Sequence, residues 1–390
     1  MKFYLQFVIF SLLITYLPAI IAQISFHKKT VNKAIKVLVW TIPTLFLLVF
    51  FLFRFSVFNP SHQSFLWFMW LFMTLFLPAN IIALFSVLDA LFKRIFGKKI
   101  KLRQFVGYPL GIIIAGGLIW GAADRYHVEV RRVEITSDQL PAAFDGLKLV
   151  QISDVHLGNL SNAKAYLTKV ADSINAEQPD LILLTGDLVN LTGNEGDGLD
   201  APFLKLHATL GKYAILGNHD YGDYITWDTP EAKVANLNSV KALYKRFGFD
   251  LLLDEHRTIT RDSAQIGIVG VENCGVDPFP CYGNLTKALD SLSTTCNILL
   301  SHDPTHWRAE VLQHPELTLM LAGHTHGAQL GIDAFGVKWS PSHWIFKEWD
   351  GLYQQAGQFL FVNRGLGYVG IPFRLGMRPE ITVITLRTKN

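Results

Sequence analysis

Five short polar segments carry the residues in this sequence best suited to chemistry. They are Asp154-Val155-His156, Gly186-Asp187, Gly217-Asn218-His219-Asp220, Ser301-His302-Asp303 and Gly323-His324-Thr325-His326. Each directly follows a short apolar run of the kind that forms a buried strand. Together they offer carboxylates, imidazoles and one side-chain amide. That mixture, without thiolate, suits Mn²⁺, Fe or Zn²⁺ rather than a Cys-rich structural zinc. Asp154 and His156, like His324 and His326, stand two residues apart, so on extended backbone both members of a pair face one side and can reach one ion. Gly186 permits a tight turn before Asp187, whose carboxylate can bridge two cations, and Asn218 adds a neutral oxygen. Two ions about 3.5–4 Å apart can activate a bridging water and hold two phosphoryl oxygens. The expected reaction is in-line attack by hydroxide with no covalent enzyme intermediate. His219, beside Asn218, is placed to protonate the leaving oxygen or bind the phosphoryl group.

Taken singly, these residues mean little. A lone strand-end Asp is usually a turn or helix cap, and Gly-Asp or Gly-Asn is commonly a plain turn. Single histidines such as His207, His256 and His314 are assigned nothing. The conjunction is what speaks for a site: every segment follows a strand-like run, and two of them carry Asp-x-His or His-x-His pairs.

The positioning elements follow from periodicity. Strands are expected over His127–Thr136, Leu147–Ile152, Leu181–Leu184, Lys212–Leu216, Leu251–Leu253, Arg257–Thr260, Gln265–Val271, Asn297–Leu300, Leu317–Leu321, Phe359–Val362 and Ile381–Leu386. Helices are expected over Ala163–Ala176, Pro202–Leu210, Leu237–Phe247 and Leu285–Leu292. Alternating strands and helices indicate largely parallel pairing. The additional strands predict a second sheet, giving an α/β fold of two sheets face to face with helices outside. Ligands of such sheets sit beyond the carboxyl ends of the strands, where all five segments fall.

In this order the segments resemble the calcineurin-like metallophosphoesterase superfamily, over roughly Leu147 to the C-terminus. The resemblance is strongest to its membrane-attached, exported bacterial branch, through residues 153–158, 323–329, Arg364-Gly365-Leu366-Gly367 and Arg378-Pro379-Glu380-Ile381. It implies a four-layer αββα sandwich and a dinuclear centre. One metal would take Asp154, His156, Asp187 and His326, and the other Asp187, Asn218, His302 and His324, with His219 as the catalytic histidine. Leu188-Val189-Asn190 follows Gly186-Asp187 where the protein-phosphatase branch has Asp-Arg, which speaks against protein phosphatase activity. Asp220 is a candidate to orient His219 by adjacency alone.

The N-terminal part of the 390-residue chain is different in kind. Four apolar runs, about 4–22, 37–58, 65–92 and 105–122, approach the roughly 20 residues that span a bilayer. They predict a transmembrane region over residues 1–123 and a phosphoesterase domain over 124–390. Lys28, Lys29, Lys33 and Lys36 follow the first run, and Lys93, Arg94, Lys98, Lys99, Lys101 and Arg103 follow the third, while the loop around 59–64 has no Lys or Arg. Basic loops stay cytoplasmic, which puts the catalytic domain on the extracytoplasmic side of a multi-pass cell-membrane protein. A signal peptide cleaved after Ala22 would leave the basic 28–36 segment outside, against this rule.

Cys274 and Cys281 are spaced to close a small disulfide around Pro278 and Pro280, with free buried thiols as the other reading. Residues 330–353 hold Phe335, Trp339, Trp344, Phe346, Trp349 and Tyr353, which suit a lid, a membrane-touching surface or a packed hairpin. Arg364 and Arg374 suit either a substrate phosphate or structural ion pairs. The net charge of +3 is small and says little about nucleic acid, but the soluble half has no Lys/Arg cluster of the kind a phosphate-backbone binder needs, so no nucleic-acid partner is expected.

The expected function is metal-dependent hydrolysis of a phosphate mono- or diester on a small-molecule, envelope or lipid-linked substrate. A non-enzymatic membrane receptor with a metal-dependent ligand site is the alternative. A transporter is disfavoured because Arg54 and Asp89, the ionisable residues in the runs, lie near their ends.

Overall fold

The computed structural model describes residues 2–26, 33–54, 62–276 and 280–389, and in the first two helices the side chains of 12–24 and 35–52. Lys28, Lys29, the 55–61 connection and Pro278 lie outside the described residues. The chain divides into two compact units, Met1–Ala123 with Ile371–Phe373, and Asp124–Gly370 with Arg374–Asn390.

The N-terminal unit contains helices α1 (Lys2–Phe26), α2 (Lys33–Arg54), α3 (His62–Phe96) and α4 (Tyr108–Asp124), the last prolonged by a π-helical turn over Arg103–Gly107. Where four spans were expected, three helices among the described residues are long and apolar enough to cross a membrane: Ile35–Leu52, His62–Phe96 and Arg103–Asp124. In α1 the described side chains give a shorter apolar stretch, Leu12–Ile24. Apolar packing gives little directional preference in lipid, and side-chain hydrogen bonds supply it here. Tyr16 and Thr44 hydroxyls meet at 3.0 Å, Asn80 Nδ2 donates to the Ile14 carbonyl at 2.7 Å, and Trp70 Nε1 donates to the Leu118 carbonyl at 3.1 Å. Asp89 accepts from the backbone N–H groups of Leu102 at 2.8 Å and Arg103 at 3.0 Å, so it caps the turn that starts α4.

The second unit is a four-layer αββα sandwich. One sheet runs β1 (Glu129–Ser137), β14 (Glu380–Thr388), β2 (Lys148–Ile152), β3 (Leu181–Leu184), β4 (Gly211–Ala214) and β5 (Asp250–Leu251). The other runs β12 (Gly351–Gln355), β13 (Gln358–Val362), β9 (Leu317–Ala322), β8 (Asn297–Leu300), β7 (Ala264–Gly270) and β6 (Glu255–Arg261). The β2-β3-β4 and β7-β8-β9 pairings are parallel. Between the sheets, Leu149, Leu181, Leu183 and Ile215 pack with Ile266, Ile268, Ile298, Leu300 and Leu321. The opposite face of the second sheet buries Val269, Leu299 and Met320 with Trp307 of α9 (Thr305–Ala309) and Leu285 of α8 (Leu285–Leu289). Strands buried on both faces read as continuous apolar runs, which is why β3 and β8 carry almost no polar residue.

Helix α5 (Ala163–Ala176) has the limits expected, because Tyr166, Leu167, Val170, Ala171 and Ile174 form one buried stripe. The helix expected over Pro202–Leu210 shrinks to α6 (Asp200–Leu204). Asn175 captures the chain as it leaves, donating to the Lys205 carbonyl at 2.8 Å and accepting from the His207 N–H at 3.0 Å. Helix α7 starts earlier than expected, over Pro230–Arg246, because Thr229 caps it by accepting from Ala232 N–H at 3.2 Å with Pro230 at its first turn.

A hairpin, β10 (Ile332–Ala334) and β11 (Val337–Trp339), leaves the sandwich. Its base is held by a buried ion network. Arg364 makes a two-pronged pair with Asp350 at 2.9 Å on each side and also reaches Asp333 of the hairpin. Lys338 of the hairpin contacts Asp350 at 2.7 Å, and Arg131 contacts it at 3.0 Å. Arg364 is therefore a structural ion-pair residue. Arg374 is likewise buried, donating to the carbonyls of Gly367, Met377 and Arg364.

Glu380 belongs to the same network, 3.5 Å from Arg131 and 3.6 Å from Arg364. Burial, and then repulsion from Asp350, pushes its carboxyl up to about 7. Asp350 is pulled down to about 2 in spite of burial, by Arg364, Arg131 and Lys338. Unfolded, Glu380 would ionise near its ordinary value of 4.5. Between that value and about 7 the folded state holds a proton that the unfolded state has lost, so stability falls as pH rises through this window. Glu380→Gln removes the effect. Its melting temperature relative to the parent's is expected to rise between about pH 5 and about pH 8, by the equivalent of at most about 3 kcal/mol. A difference that stays flat with pH would show Glu380 already ionised at the acid end.

Candidate metal centre

The five polar segments leave the carboxyl ends of β2, β3, β4, β8 and β9, three strands from one sheet and two from the other. All eight residues singled out from the sequence come together there. Asp154, His156, Asp187, Asn218, His302 and His326 are buried, and His219 and His324 are half-buried.

Local backbone, rather than strand alternation, aims these side chains. The expectation that each i, i+2 pair sits on extended chain is not met. Asp154 has φ 50°, His156 47°, Asp187 53°, His324 71° and His326 51°, all in the left-handed region. Non-glycine residues reach it at a cost of about 1–3 kcal/mol each, and such outliers gather at functional sites. Gly186, at φ 92°, permits a close backbone approach: a Cβ there would stand 2.5 Å from Gly217 N and 2.9 Å from His302 Nδ1. Gly323 is required for space, since a Cβ would lie 2.0 Å from Ser153 Oγ and 2.2 Å from Asp154 Oδ2.

The donor atoms form two groups that share Asp187. In the first, His326 Nε2 is 3.2 Å from Asp154 Oδ1, His156 Nε2 is 3.1 Å from His326 Nε2, and His156 Nε2 is 3.6 Å from Asp187 Oδ2. In the second, His302 Nε2 is 3.2 Å from the same Asp187 Oδ2 and 3.0 Å from Asn218 Oδ1, which is 2.8 Å from His324 Nδ1. Clusters of ligand-bearing atoms within 4.8 Å of one another include Asp154/His156/His326, His156/Asp187/His219 and Asp154/Asp187/His302.

Charge in this cluster calls for a cation. Asp154 and Asp187 are buried, which works against ionisation, yet both are held below the usual carboxylate range, Asp154 chiefly by His326 and Asp187 chiefly by His302. Burial pushes His156 down to about 4, so it remains neutral. Burial also opposes charge on His302, but Asp187, followed by Asp154 and the Thr185 carbonyl, lifts it to about 10. Two buried carboxylates thus recruit a proton onto the nearest imidazole. A divalent cation satisfies the same demand, and the imidazole, carboxylate and amide donors fit Mn²⁺, Fe or Zn²⁺.

Several partners that fix the site were not legible in the sequence. His219 Nδ1 meets the Asn190 carbonyl at 2.8 Å, and its ring stacks on Tyr224 with centroids 4.3 Å apart. Asp220 does not orient His219, as adjacency had suggested. Its carboxylate instead accepts from the backbone N–H groups of Asp187 (2.9 Å), Val189 (3.2 Å) and Gly217 (2.8 Å) and from the Tyr244 hydroxyl (2.8 Å). It therefore ties the Gly-Asp turn to the Gly-Asn-His-Asp turn. His302 Nδ1 donates to the Thr185 carbonyl at 2.7 Å, which turns Nε2 toward Asp187. Asp303, buried, lies 3.9 Å from His324 Nε2. Backbone carbonyls leave no mark in a sequence, and Tyr224 and Tyr244 stand in segments without a motif.

Comparison with known proteins agrees with this geometry. Residues 147–328 match the calcineurin-like phosphoesterase family. The uncharacterized metallophosphoesterase YkuE of Bacillus subtilis (strain 168) is 33% identical over 304 residues, covering 75% of this chain and 100% of that protein. A transmembrane protein with metallophosphoesterase domain from Danio rerio is 29% identical over 264 residues, 65% of this chain and 56% of its own length. The UDP-2,3-diacylglucosamine pyrophosphatase LpxG of Chlamydia trachomatis is 29% identical over 310 residues, 66% of this chain and 89% of its own. The chain belongs to the calcineurin-like phosphoesterase family and is a phosphoric ester hydrolase that depends on divalent metal ions. With its apolar N-terminal helices, it is a membrane protein.

Proposed function

We propose that this phosphoesterase holds two divalent ions and hydrolyses a phosphate ester or diester on a lipid-linked molecule outside the cytoplasm. The observation that carries the reading is Asp187, one carboxylate oxygen of which lies 3.6 Å from His156 and 3.2 Å from His302, between the two donor groups. One ion would take Asp154, His156, Asp187 and His326, and the other Asp187, Asn218, His302 and His324. Ions bound there supply Lewis acidity, lowering the pKa of a water and neutralising phosphoryl oxygens for in-line attack.

The chain's own contribution is orientation and proton transfer. A carbonyl oxygen can only accept, so the contact with Asn190 keeps the proton of a neutral His219 on Nδ1 and leaves Nε2 as the working atom. Protonated there, Nε2 can donate to the departing oxygen. Stacking on Tyr224 holds the ring plane, and the Tyr224 hydroxyl also accepts from Asn218 Nδ2 at 2.6 Å.

Two features support an amphiphilic substrate. LpxG is named for a diacylated nucleotide sugar. In this chain the segment after His326 exposes Phe335 at the hairpin tip together with Trp344 and Ile345, each more than 70% accessible, an apolar display that soluble surfaces rarely carry. Phe346 packs edge-on against His324 with centroids 5.5 Å apart, so the apolar segment continues to the donor cluster. The disulfide between Cys274 and Cys281 supports an oxidising compartment, as does the loop charge.

The full chain in detergent with Mn²⁺ is expected to cleave an aryl phosphate or aryl phosphodiester. Asp187→Ala should abolish this, and His219→Ala should lower kcat by about 10²–10⁴ with metal content unchanged. No turnover above the Asp187→Ala level would sink the reading. Phe335→Asp with Trp344→Asp should leave the water-soluble aryl substrate untouched while raising KM for a lipid phosphodiester. An equal effect on both substrates would remove the hairpin from substrate binding. A reporter fused after Asn390 is expected to be active only outside the cytoplasm, and cytoplasmic activity would reverse the placement.

A further inference from the structure

We propose that the helical unit binds one anionic glycerophospholipid, with its phosphate in a basic mouth and an acyl chain in an apolar cavity between helices. This inference is independent of the chemistry at the metal centre. A cavity of about 490 Å³ lies among α1, α2, α3 and the start of α4, walled by Ala19, Pro43, Phe76, Ala83 and Tyr108 among others. At Ile21, Ser86 and Arg103 it meets a second recess, of about 720 Å³. That recess has the opposite chemistry: Lys93, Arg94, Lys99, Lys101 and Arg103 line it against one acidic residue, Asp89.

Asp89, whose two oxygens accept from the Leu102 and Arg103 N–H groups, brings one negative charge against five positive ones. The ion pairs among the described residues all lie from Asp124 onward. Five cationic side chains around one recess repel one another, and an anion among them relieves that repulsion. Arg103 stands where the two spaces join, 5.9 Å from the Tyr108 ring centroid, on the π-helical turn that starts α4. Such turns frequently mark functional sites. Loop charge that only orients a helix in the membrane requires no apolar recess beneath it. A basic mouth over an apolar cavity is complementary to one class of molecule, an anionic lipid, and basic pockets between membrane helices attract such headgroups.

The test is lipid retention by the full chain. Purified protein is equilibrated in detergent with equimolar dioleoyl phosphatidylglycerol and dioleoyl phosphatidylcholine, and bound lipid is counted by native mass spectrometry. One phosphatidylglycerol per chain is expected, with phosphatidylcholine excluded. The triple variant Lys93→Gln, Arg94→Gln, Arg103→Gln should weaken retention about a hundredfold, from roughly fivefold for each of the three charges lost near the headgroup. Ala83→Phe should displace the lipid by filling the cavity. If that variant does not fold, dihexanoyl phosphatidylglycerol should bind the parent more weakly than the dioleoyl lipid. Equal retention of both headgroups would overturn the proposal, as would retention indifferent to the triple variant. Competition by inorganic phosphate as effective as by the lipid, with chain length irrelevant, would mean a bare anion site and would also overturn it.

Discussion

Burying the carboxylates of Asp154 and Asp187 at the meeting point of two sheets is the constraint around which the catalytic unit is organised. Each must be matched by positive charge or by donors, and the chain supplies what it can. The His324 N–H lies 3.1 Å from both oxygens of Asp154, and the His219 N–H donates to Asp187 at 2.8 Å. His302 takes up a proton in response to Asp187. These measures leave imidazole nitrogens facing one another at 3.1 Å, an arrangement that divalent cations relieve. The same demand accounts for the backbone. Extended backbone does not aim the donors here; five left-handed residues turn them inward instead. Their conformational cost is borne by the dry layer between the sheets, where Leu149, Leu181, Ile268 and Ile298 are fully buried.

Much of this was legible in the sequence. The donor residues were legible because each follows an apolar strand, and strand ends are where a two-sheet fold collects its ligands. Helix α5 was legible because five apolar side chains recur on one stripe. Limits failed where a single polar side chain decides them, as Thr229 does for α7 and Asn175 does for the end of α6. The orientation of His219 failed for another reason. Adjacency offered Asp220, whereas the folded chain delivers the carbonyl of Asn190 from a different strand exit. Asp220 is used to hold three backbone N–H groups and a phenol, a role that depends wholly on tertiary approach.

The arginines illustrate how burial decides between two readings of one residue. Arg364 has the shape to grip a phosphate, but its guanidinium is spent on Asp350, Asp333 and Glu129. It thereby roots a hairpin whose apolar end stays in solvent. Rigidity at the base and exposed apolar surface at the tip are separate properties, supplied by different residues of the same short segment.

The order of strands has a mechanical consequence. The first strand after the membrane helices, β1, pairs in parallel with the last strand, β14, over nine residue positions from Glu129/Glu380 to Ser137/Thr388. Asp124, at the end of α4, is also clamped to Arg378 at 2.9 Å. A pull on the tether therefore loads that ladder lengthwise, in shear, so that its hydrogen bonds must break together rather than one at a time. The strand that leaves the membrane helices is stitched along its whole length to β14, so tension from the tether would strain that seam before it reached the strands that carry the donors.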